Sequence, residues 1–475
     1  MELWTYLPLA IGYLATLMLI RWVLLTRKRQ PIASVAWILA IILLPLLGGV
    51  LFLFFGINQV ERRKALKLAA TRVAADSVSN LTDYEEDAGG DSTLSSQLHR
   101  LAELSCGYHV TRGNSIELLI DTNIAFRRIE EAILAAQKSI HLEYYLWKPD
   151  KAGRRIRDLL IERARQGIEV RFLYDGIGSI LLRRSFLRSM SDAGIHVASF
   201  LPGQSLRERW SLNLRCHRKI VVVDGRLGFT GGMNIGDEYL GRNKQIGYWR
   251  DTHLRMTGPS VLQLQQVFAE DWYYATGEDL TTEPMFPDPS TDGDVTAQVV
   301  SGGPVDEIQT FHALMFSAIN EARERITLAT SFFVPTDGLS MALETAALRG
   351  VDVRLLLSGR SMYPWTLMAA RSYYEALLRS GVKIHEYRRG VLHSKTLTID
   401  GCWSLVGSPN FDPRSLVLNF EVGVAMSDER IALELERHFT DDLEHAREIR
   451  LDQWIRRPLR SVLIENFCRL FSPVM

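Results

Sequence analysis

His217-Arg218-Lys219-Ile220-Val221-Val222-Val223-Asp224, followed by Gly231-Gly232-Met233-Asn234, is written twice in this chain. The second copy is His393-Ser394-Lys395-Thr396-Leu397-Thr398-Ile399-Asp400, followed by Gly407-Ser408-Pro409-Asn410. The polar landmarks share one offset: 393−217, 395−219, 400−224, 407−231 and 410−234 all equal 176. The chain is therefore an internal duplication. A repeated core would preserve only apolar spacing, whereas preserved His, Lys and Asn point to chemistry.

Each copy predicts a β-hairpin. Residues i and i+2 face the same way on a strand, so the imidazole and ammonium of His-x-Lys point together. Residues 220–223 and 396–399 are β-branched and apolar, as buried strands should be. Asp224-Gly225 and Asp400-Gly401 predict tight turns with positive φ. Return strands over 227–230 and 403–406 then carry Asn234 and Asn410 back towards the His and Lys, through small residues that permit close backbone approach.

That set suits a phosphodiester. Lys219, Lys395, Asn234 and Asn410 can neutralise and hydrogen-bond the non-bridging phosphate oxygens. His217 and His393 can attack phosphorus or carry a proton near neutral pH, one acting as nucleophile and the other as acid and base. A nucleophilic imidazole needs its other nitrogen held by an acceptor. Trp249-Arg250-Asp251 matches Asn419-Phe420-Glu421 at an offset of 170, so Asp251 and Glu421 are the candidate orienting acids. Asp224 and Asp400 complete the motif as candidate catalytic residues, although a turn position makes a structural role at least as apt. Tyr144, Tyr145, Arg250 and Arg414 are candidate lining residues, with buried structural roles equally open.

The pattern resembles the HxKxxxxD signature of the phospholipase D superfamily, including its trailing G-[GS]-x-N. The resemblance implies a phosphohistidine intermediate formed without metal or other cofactor, and a site shared by both halves on a pseudo-twofold axis. Over nearly the whole length the chain resembles the bacterial cardiolipin synthases. The residues that carry this are Pro45 and Gly49, the run from Gly231 to Tyr239, Tyr248-Trp249-Arg250-Asp251, the run from Gly407 to Ser415, and Asn419-Phe420-Glu421. It implies phosphatidyl transfer between two phosphatidylglycerols, giving cardiolipin and glycerol. A phospholipase D hydrolase, a membrane-tethered nuclease and an inactive lipid-binding scaffold are the alternatives.

The repeat extends upstream, where residues 139–147 match 325–333 and 167–174 match 350–357. Strands alternating with helical stretches predict an α/β fold: two phospholipase D-like α/β/α repeats with mixed sheets, preceded by a transmembrane hairpin. The expected division is 1–58 hairpin, 59–110 tether, 111–280 first repeat, 281–450 second repeat and 451–475 amphipathic segment. Offsets of 187 at Gly194/Gly381 and 176 at the histidines place eleven extra residues (187−176) in the first half, within 201–215. With Arg207, Arg209, Arg215 and Trp210, that insertion is a candidate headgroup or bilayer contact, or a plain solvated loop.

Residues 3–25 are apolar apart from Arg21, and residues 32–56 carry no charge, so each is long enough to cross a bilayer at about 1.5 Å per residue. Arg27-Lys28-Arg29-Gln30-Pro31 joins them. Basic residues stand both in this turn and after the hairpin (Arg62, Arg63, Lys64, Lys67, Arg72), which gives the positive-inside rule competing votes. The expectation is a bacterial inner-membrane protein with a cytoplasmic catalytic part. Residues 82–97 are polar and acidic, as in a flexible tether. At the carboxyl end, Leu459, Val462, Leu463, Phe467, Leu470 and Phe471 form an apolar helical stripe near four arginines, suited either to an in-plane membrane helix or to packing on the core. The 55 basic and 55 acidic residues cancel, so there is no overall nucleic-acid footprint; the partners that the resemblance implies are phosphatidylglycerol and membrane lipids. Cys106, Cys216, Cys402 and Cys468 have neither metal-ligand spacing nor a disulfide framework. Oligomeric state is not legible.

Overall fold

The duplication is carried by two copies of one sheet. The computed structural model describes residues 3–25, 31–52, 85–86, 93–200, 214–243, 246–280 and 285–471. The first copy begins at an edge strand β1 (Glu85–Glu86). It continues with β2 (Val110–Asp121), β3 (Ser139–Tyr144), β4 (Glu169–Tyr174), β5 (His196–Ser199), β6 (Arg215–Cys216), β7 (Lys219–Val223), β8 (Leu227–Gly231) and β9 (Tyr248–Thr257). The second contains β10 (Val295–Gly302), β11 (Arg325–Thr330), β12 (Asp352–Ser358), β13 (Lys383–Tyr387), β14 (Gly390–Leu392), β15 (Lys395–Ile399), β16 (Trp403–Gly407), β17 (Asn419–Ser427) and β18 (Ala446–Ile449).

The strand orders match. In the first half the order is β2-β9-β8-β7-β3-β4-β5, with β3, β4 and β5 parallel and the other neighbours antiparallel. In the second it is β10-β17-β16-β15-β11-β12-β13, and β18 adds an antiparallel edge on β13. Parallel strands need crossovers, and the helices Lys151–Arg165 and Asp337–Leu348 supply them between β3 and β4 and between β11 and β12. Each sheet buries its own apolar core, around Ile140, Phe172 and Val221 in one half and Ile326, Leu355 and Leu397 in the other.

Among the described residues three strand pairings join the halves. β2 and β10 run antiparallel edge to edge. The two short strands that precede the histidines cross over reciprocally: β6 pairs in parallel with β17, and β14 pairs in parallel with β9. The helix Pro259–Thr276 is buried along almost its whole length, and several of its polar side chains bond to other elements. Gln263, for example, donates to His109 O at 2.6 Å and accepts from Val299 N at 3.0 Å.

Two expectations change. The tether over 82–97 is structured where it is described: Glu85–Glu86 pairs with β2, and a helix runs Leu94–Cys106. The Thr93 side chain caps that helix by accepting from Ser96 N, and Leu98 and Ala102 enter the second-half core. A Ser- and Thr-rich entry conceals a short amphipathic helix.

The span expected over 32–56, which Pro45 and Gly48-Gly49 in the sequence suggest is bent or closely packed, is fully broken at that proline. A helix Pro31–Leu43 ends, Leu44 takes φ −134° and ψ 71°, and a new helix Pro45–Leu51 begins. Pro45 has no N–H to continue the ladder, and its ring forces the preceding residue out of helical geometry. The helix Leu3–Leu25 packs against this pair through Val23, Ile41 and Phe52. Among the described residues no helix is long and apolar enough to cross a membrane. The N-terminal helices and the two repeats fall into separate compact units. The insertion at 201–215 lies outside the described residues except for Leu214 and Arg215.

Candidate active site

The histidines stand at the ends of strands, where the fold forces the halves together. His217 follows β6, and its N–H donates to Phe420 O of β17 at 2.9 Å; His393 follows β14, and its N–H donates to Arg250 O of β9 at 2.7 Å. Each imidazole is thereby set beside the acid of the opposite half. His217 Nδ1 meets Glu421 Oε2 at 2.9 Å, and His393 Nδ1 meets Asp251 Oδ2 at 2.7 Å. The matched acids of the sequence are present, but each serves the other copy's histidine.

Strand geometry also orients the acids. Trp249 and Asn419 lie two residues before Asp251 and Glu421, on the same strand face. Trp249 Nε1 donates to Asp251 Oδ2 at 3.4 Å, and Asn419 Nδ2 donates to Glu421 Oε1 at 3.2 Å. Ser408 Oγ donates to Glu421 as well. The matching position is Gly232, where an added Cβ would run into the Asp251 carboxylate. The serine-for-glycine difference between the copies therefore accompanies the glutamate-for-aspartate difference.

Electrostatics set the protonation states. Burial lowers the proton affinity of both imidazoles, despite the acids beside them. Burial also works against ionised Glu421 and Asp251, but His217 with Lys219, and His393 with Lys395, outweigh it and hold both carboxyls below their usual range. The arrangement is neutral imidazole beside carboxylate: Nδ1–H donates to the acid and the Nε2 lone pair is free to react. Lys219 and Lys395 lie behind their histidines, each Nζ donating to the carbonyl of its own histidine. Burial pulls them down to about 7 and about 8.

His217, His393, Asn234 and Asn410 line one cavity of about 640 Å³. Asn410 Oδ1 accepts from Ser331 Oγ at 2.8 Å, while buried Asn234 leaves its Oδ1 without a partner. Tyr145 and Arg414 also line the cavity, the Tyr145 ring centre lying 4.9 Å from that of His217. Tyr144 and Arg250 do not. Tyr144 is buried, and Arg250 is spent on Asp442 at 2.7 Å.

The catalytic role expected of Asp224 and Asp400 is corrected by their position, which is the far end of β7 and β15 from the histidines. Asp224 accepts from the backbone N–H groups of Gln137, Lys138 and Ser139, and Asp400 from those of Arg323, Glu324 and Arg325, at 2.7–2.9 Å. Each has positive φ, 54° and 51°, and is followed by a glycine at 64°, the turn that Asp-Gly predicts. Alanine at either position orphans three donors and strains the turn. Asp224→Ala should cost about 1–3 kcal/mol of stability, seen as a lowered melting temperature, with turnover per folded molecule little changed.

One network had no sequence signal. Buried Arg218 pairs with Asp271 and donates to Ser301 Oγ at 2.6 Å and to Glu421 O at 3.2 Å. Beside it, Cys216 Sγ bonds Glu143 Oε1 at 2.6 Å, and burial together with nearby Asp271 pushes Glu143 well above the usual carboxylate range. The second half has Ser394 in place of Arg218, sharing a 2.8 Å bond with Thr252. On the His393 side the corresponding ion pair is Arg250–Asp442, with Arg250 donating to Asp251 O at 2.6 Å, so the two histidines rest on buried ionic networks built from different positions.

A family model described as cardiolipin synthase, PLD-like domain matches residues 129–272 and 315–443. A second, described as phospholipase D-nuclease N-terminal, matches residues 14–56. The chain is 38% identical to cardiolipin synthase 2 of Bacillus cereus, over 96% of this chain and 90% of that one.

This chain belongs to the cardiolipin synthase family.

A cardiolipin synthase of Alkalihalophilus pseudofirmus is 35% identical over 100% of this chain and 95% of its own. Among solved structures, the phosphatidylserine synthase of Haemophilus influenzae superposes with a TM-score of 0.61 at 14% identity, covering 81% of this chain and 100% of that one, which shows the shared fold. The cardiolipin synthase family is a family of phosphatidyltransferases, and the protein is one of them.

Proposed function

We propose that the protein moves a phosphatidyl group from one phosphatidylglycerol to another, giving cardiolipin and glycerol. The observation that carries this is the pair of imidazoles facing one cavity, each with Nδ1 held by the acid of the opposite half.

In the first step His217 Nε2 attacks phosphorus, the bond to the headgroup glycerol breaks, and His393 gives that oxygen a proton. In the second, His393 takes the proton from the terminal hydroxyl of another phosphatidylglycerol. That oxygen attacks phosphorus and the bond to His217 Nε2 breaks. The anionic phosphodiester, arriving between the imidazoles, favours the proton on His393. Asn234 and Asn410, which line the cavity, supply hydrogen bonds to the non-bridging oxygens, and the two lysines behind the histidines add positive charge.

The reading extends to the membrane. The N-terminal family match and the relatives support a membrane-associated enzyme. Apart from Arg21, the outward side chains described on the first helices are mostly apolar, among them Tyr13, Met18, Leu24, Val35 and Leu43, which suits a lipid surround better than water. A two-helix anchor in a bacterial inner membrane, with the catalytic part on the cytoplasmic side, is part of the same proposal.

Mass spectrometry of lipids after incubation of the purified protein with phosphatidylglycerol tests the reaction. Cardiolipin and glycerol are expected in equal amounts. Phosphatidic acid without cardiolipin would make the protein a hydrolase. DNA cleavage without lipid turnover would make it a nuclease.

A further inference from the structure

The helix Leu459–Arg469 is mounted inside out. Its inner side carries Glu465, which is 3% exposed and accepts from Arg457 Nε at 3.0 Å. Cys468 packs at the second-half core, and the Arg469 guanidinium lies 4.3 Å over the Tyr373 ring. The outer side carries Leu459, Leu463, Ile464 and Phe467, and beyond it Leu470 and Phe471, all between 47% and 74% exposed. At 3.6 residues per turn these six fall within one arc of about 140°. A helix at a protein surface ordinarily buries its apolar stripe and shows water its polar face. Here the one fully buried side chain is a glutamate, with Val462 and Cys468 half-buried beside it, and the large apolar side chains face outward.

The apolar surface leads to the active site. The inverted helix packs along the helix Pro364–Arg371, whose first turn presents Trp365 at the wall of the active-site cavity, next to Tyr363. Both rings are about half exposed, at 50% and 44%. In the other half, Ile180 and Leu181 line the same cavity and are 74% and 58% exposed. Ile180 and Tyr363 follow the same strand of their repeats, each six residues beyond the aligned pair Tyr174 and Leu357 (180−174 and 363−357). The rim is therefore apolar in both repeats. Exposed arginines border it, Arg360 at the cavity and Arg456 and Arg460 by the inverted helix.

We infer that this apolar, arginine-bordered face docks the mouth of the cavity on the surface of an anionic phospholipid bilayer. Aromatic rings at the rim suit the headgroup layer, arginines suit anionic headgroups, and an apolar stripe on an in-plane helix suits the acyl boundary. Continuity with a cavity that takes lipid favours a bilayer over a protein partner, which would not need the active-site rim. The inference rests on the lipid reaction proposed above for that cavity.

The test uses the full-length protein carrying Leu463→Asp and Phe467→Asp together. Cardiolipin formation is measured on phosphatidylglycerol–phosphatidylcholine vesicles, and in parallel on dihexanoyl phosphatidylglycerol dissolved as monomers. The expected result is a loss of about tenfold or more on vesicles and a change within about twofold on the monomeric lipid. A conservative control, Phe467→Leu, should keep vesicle activity. Unchanged vesicle turnover overturns the inference. So does an equal loss on both substrates, which would make the helix structural, or a change in oligomeric state, which would make the face a protein interface. Failure of the underlying chemistry is seen separately, as an unaltered protein that makes no cardiolipin from the monomeric lipid.

Discussion

His217→Ala and His393→Ala should each abolish cardiolipin formation, by about 10⁴-fold or more, with little loss of stability. Neither can be spared, because the two roles differ: one nitrogen must bond to phosphorus, and another must move a proton on and off glycerol oxygen. Residues that act as one unit are far from additive, so the double variant should be little worse than either single one.

The two variants can still be told apart. A phosphatidyl donor with a p-nitrophenol leaving group needs no proton to depart. The variant lacking the acid should regain a burst of nitrophenol release, whereas the variant lacking the nucleophile should not. On the proposed assignment the burst belongs to His393→Ala. If either single variant kept full activity on phosphatidylglycerol, the two-histidine mechanism would be wrong.

The second large effect comes from the crossed acids. Asp251→Asn and Glu421→Gln preserve shape, yet each should lower turnover by about 10³–10⁴-fold, the scale seen when the acid of a triad becomes an amide. An amide can turn its NH₂ towards Nδ1, which stabilises the tautomer that puts a proton on Nε2 and removes the reactive lone pair. Position adds a sharper consequence. Glu421 serves His217 and Asp251 serves His393. Glu421→Gln should therefore reproduce the leaving-group behaviour of His217→Ala, although residue 421 belongs to the other repeat. If it instead behaved like His393→Ala, the crossed geometry would be refuted. Melting curves of both amide variants should stay near that of the unaltered protein, which separates a tautomer effect from unfolding.

What was legible in the sequence was what is local. The hairpins at 219–231 and 395–407, the Asp-Gly turns with positive φ and the shared face of each His-x-Lys all follow from period-two strands and short-range turn chemistry. The repeat offset also found Asp251 and Glu421, because duplication preserves position. It did not reveal which histidine each acid serves, since the crossing depends on β6 joining β17 and β14 joining β9, pairings between distant segments. The Arg218–Asp271 network and the Arg250–Asp442 pair are built from different positions, so comparison of the copies had nothing to match. Composition misled at residues 93–97, where Thr93 caps a helix that looked like tether, whereas Pro45 marked in the sequence the place where the second apolar stretch departs from a straight helix.

The reciprocal strand exchange bears on ancestry and engineering. Each repeat lacks the carboxylate its own histidine needs and carries the one its neighbour needs, as do the subunits of a homodimer that share an active site across their interface. The link between the repeats makes permanent what two separate copies would have to find by collision. Severed into its two halves, such a chain would not retain half its activity; it would retain none until the fragments met.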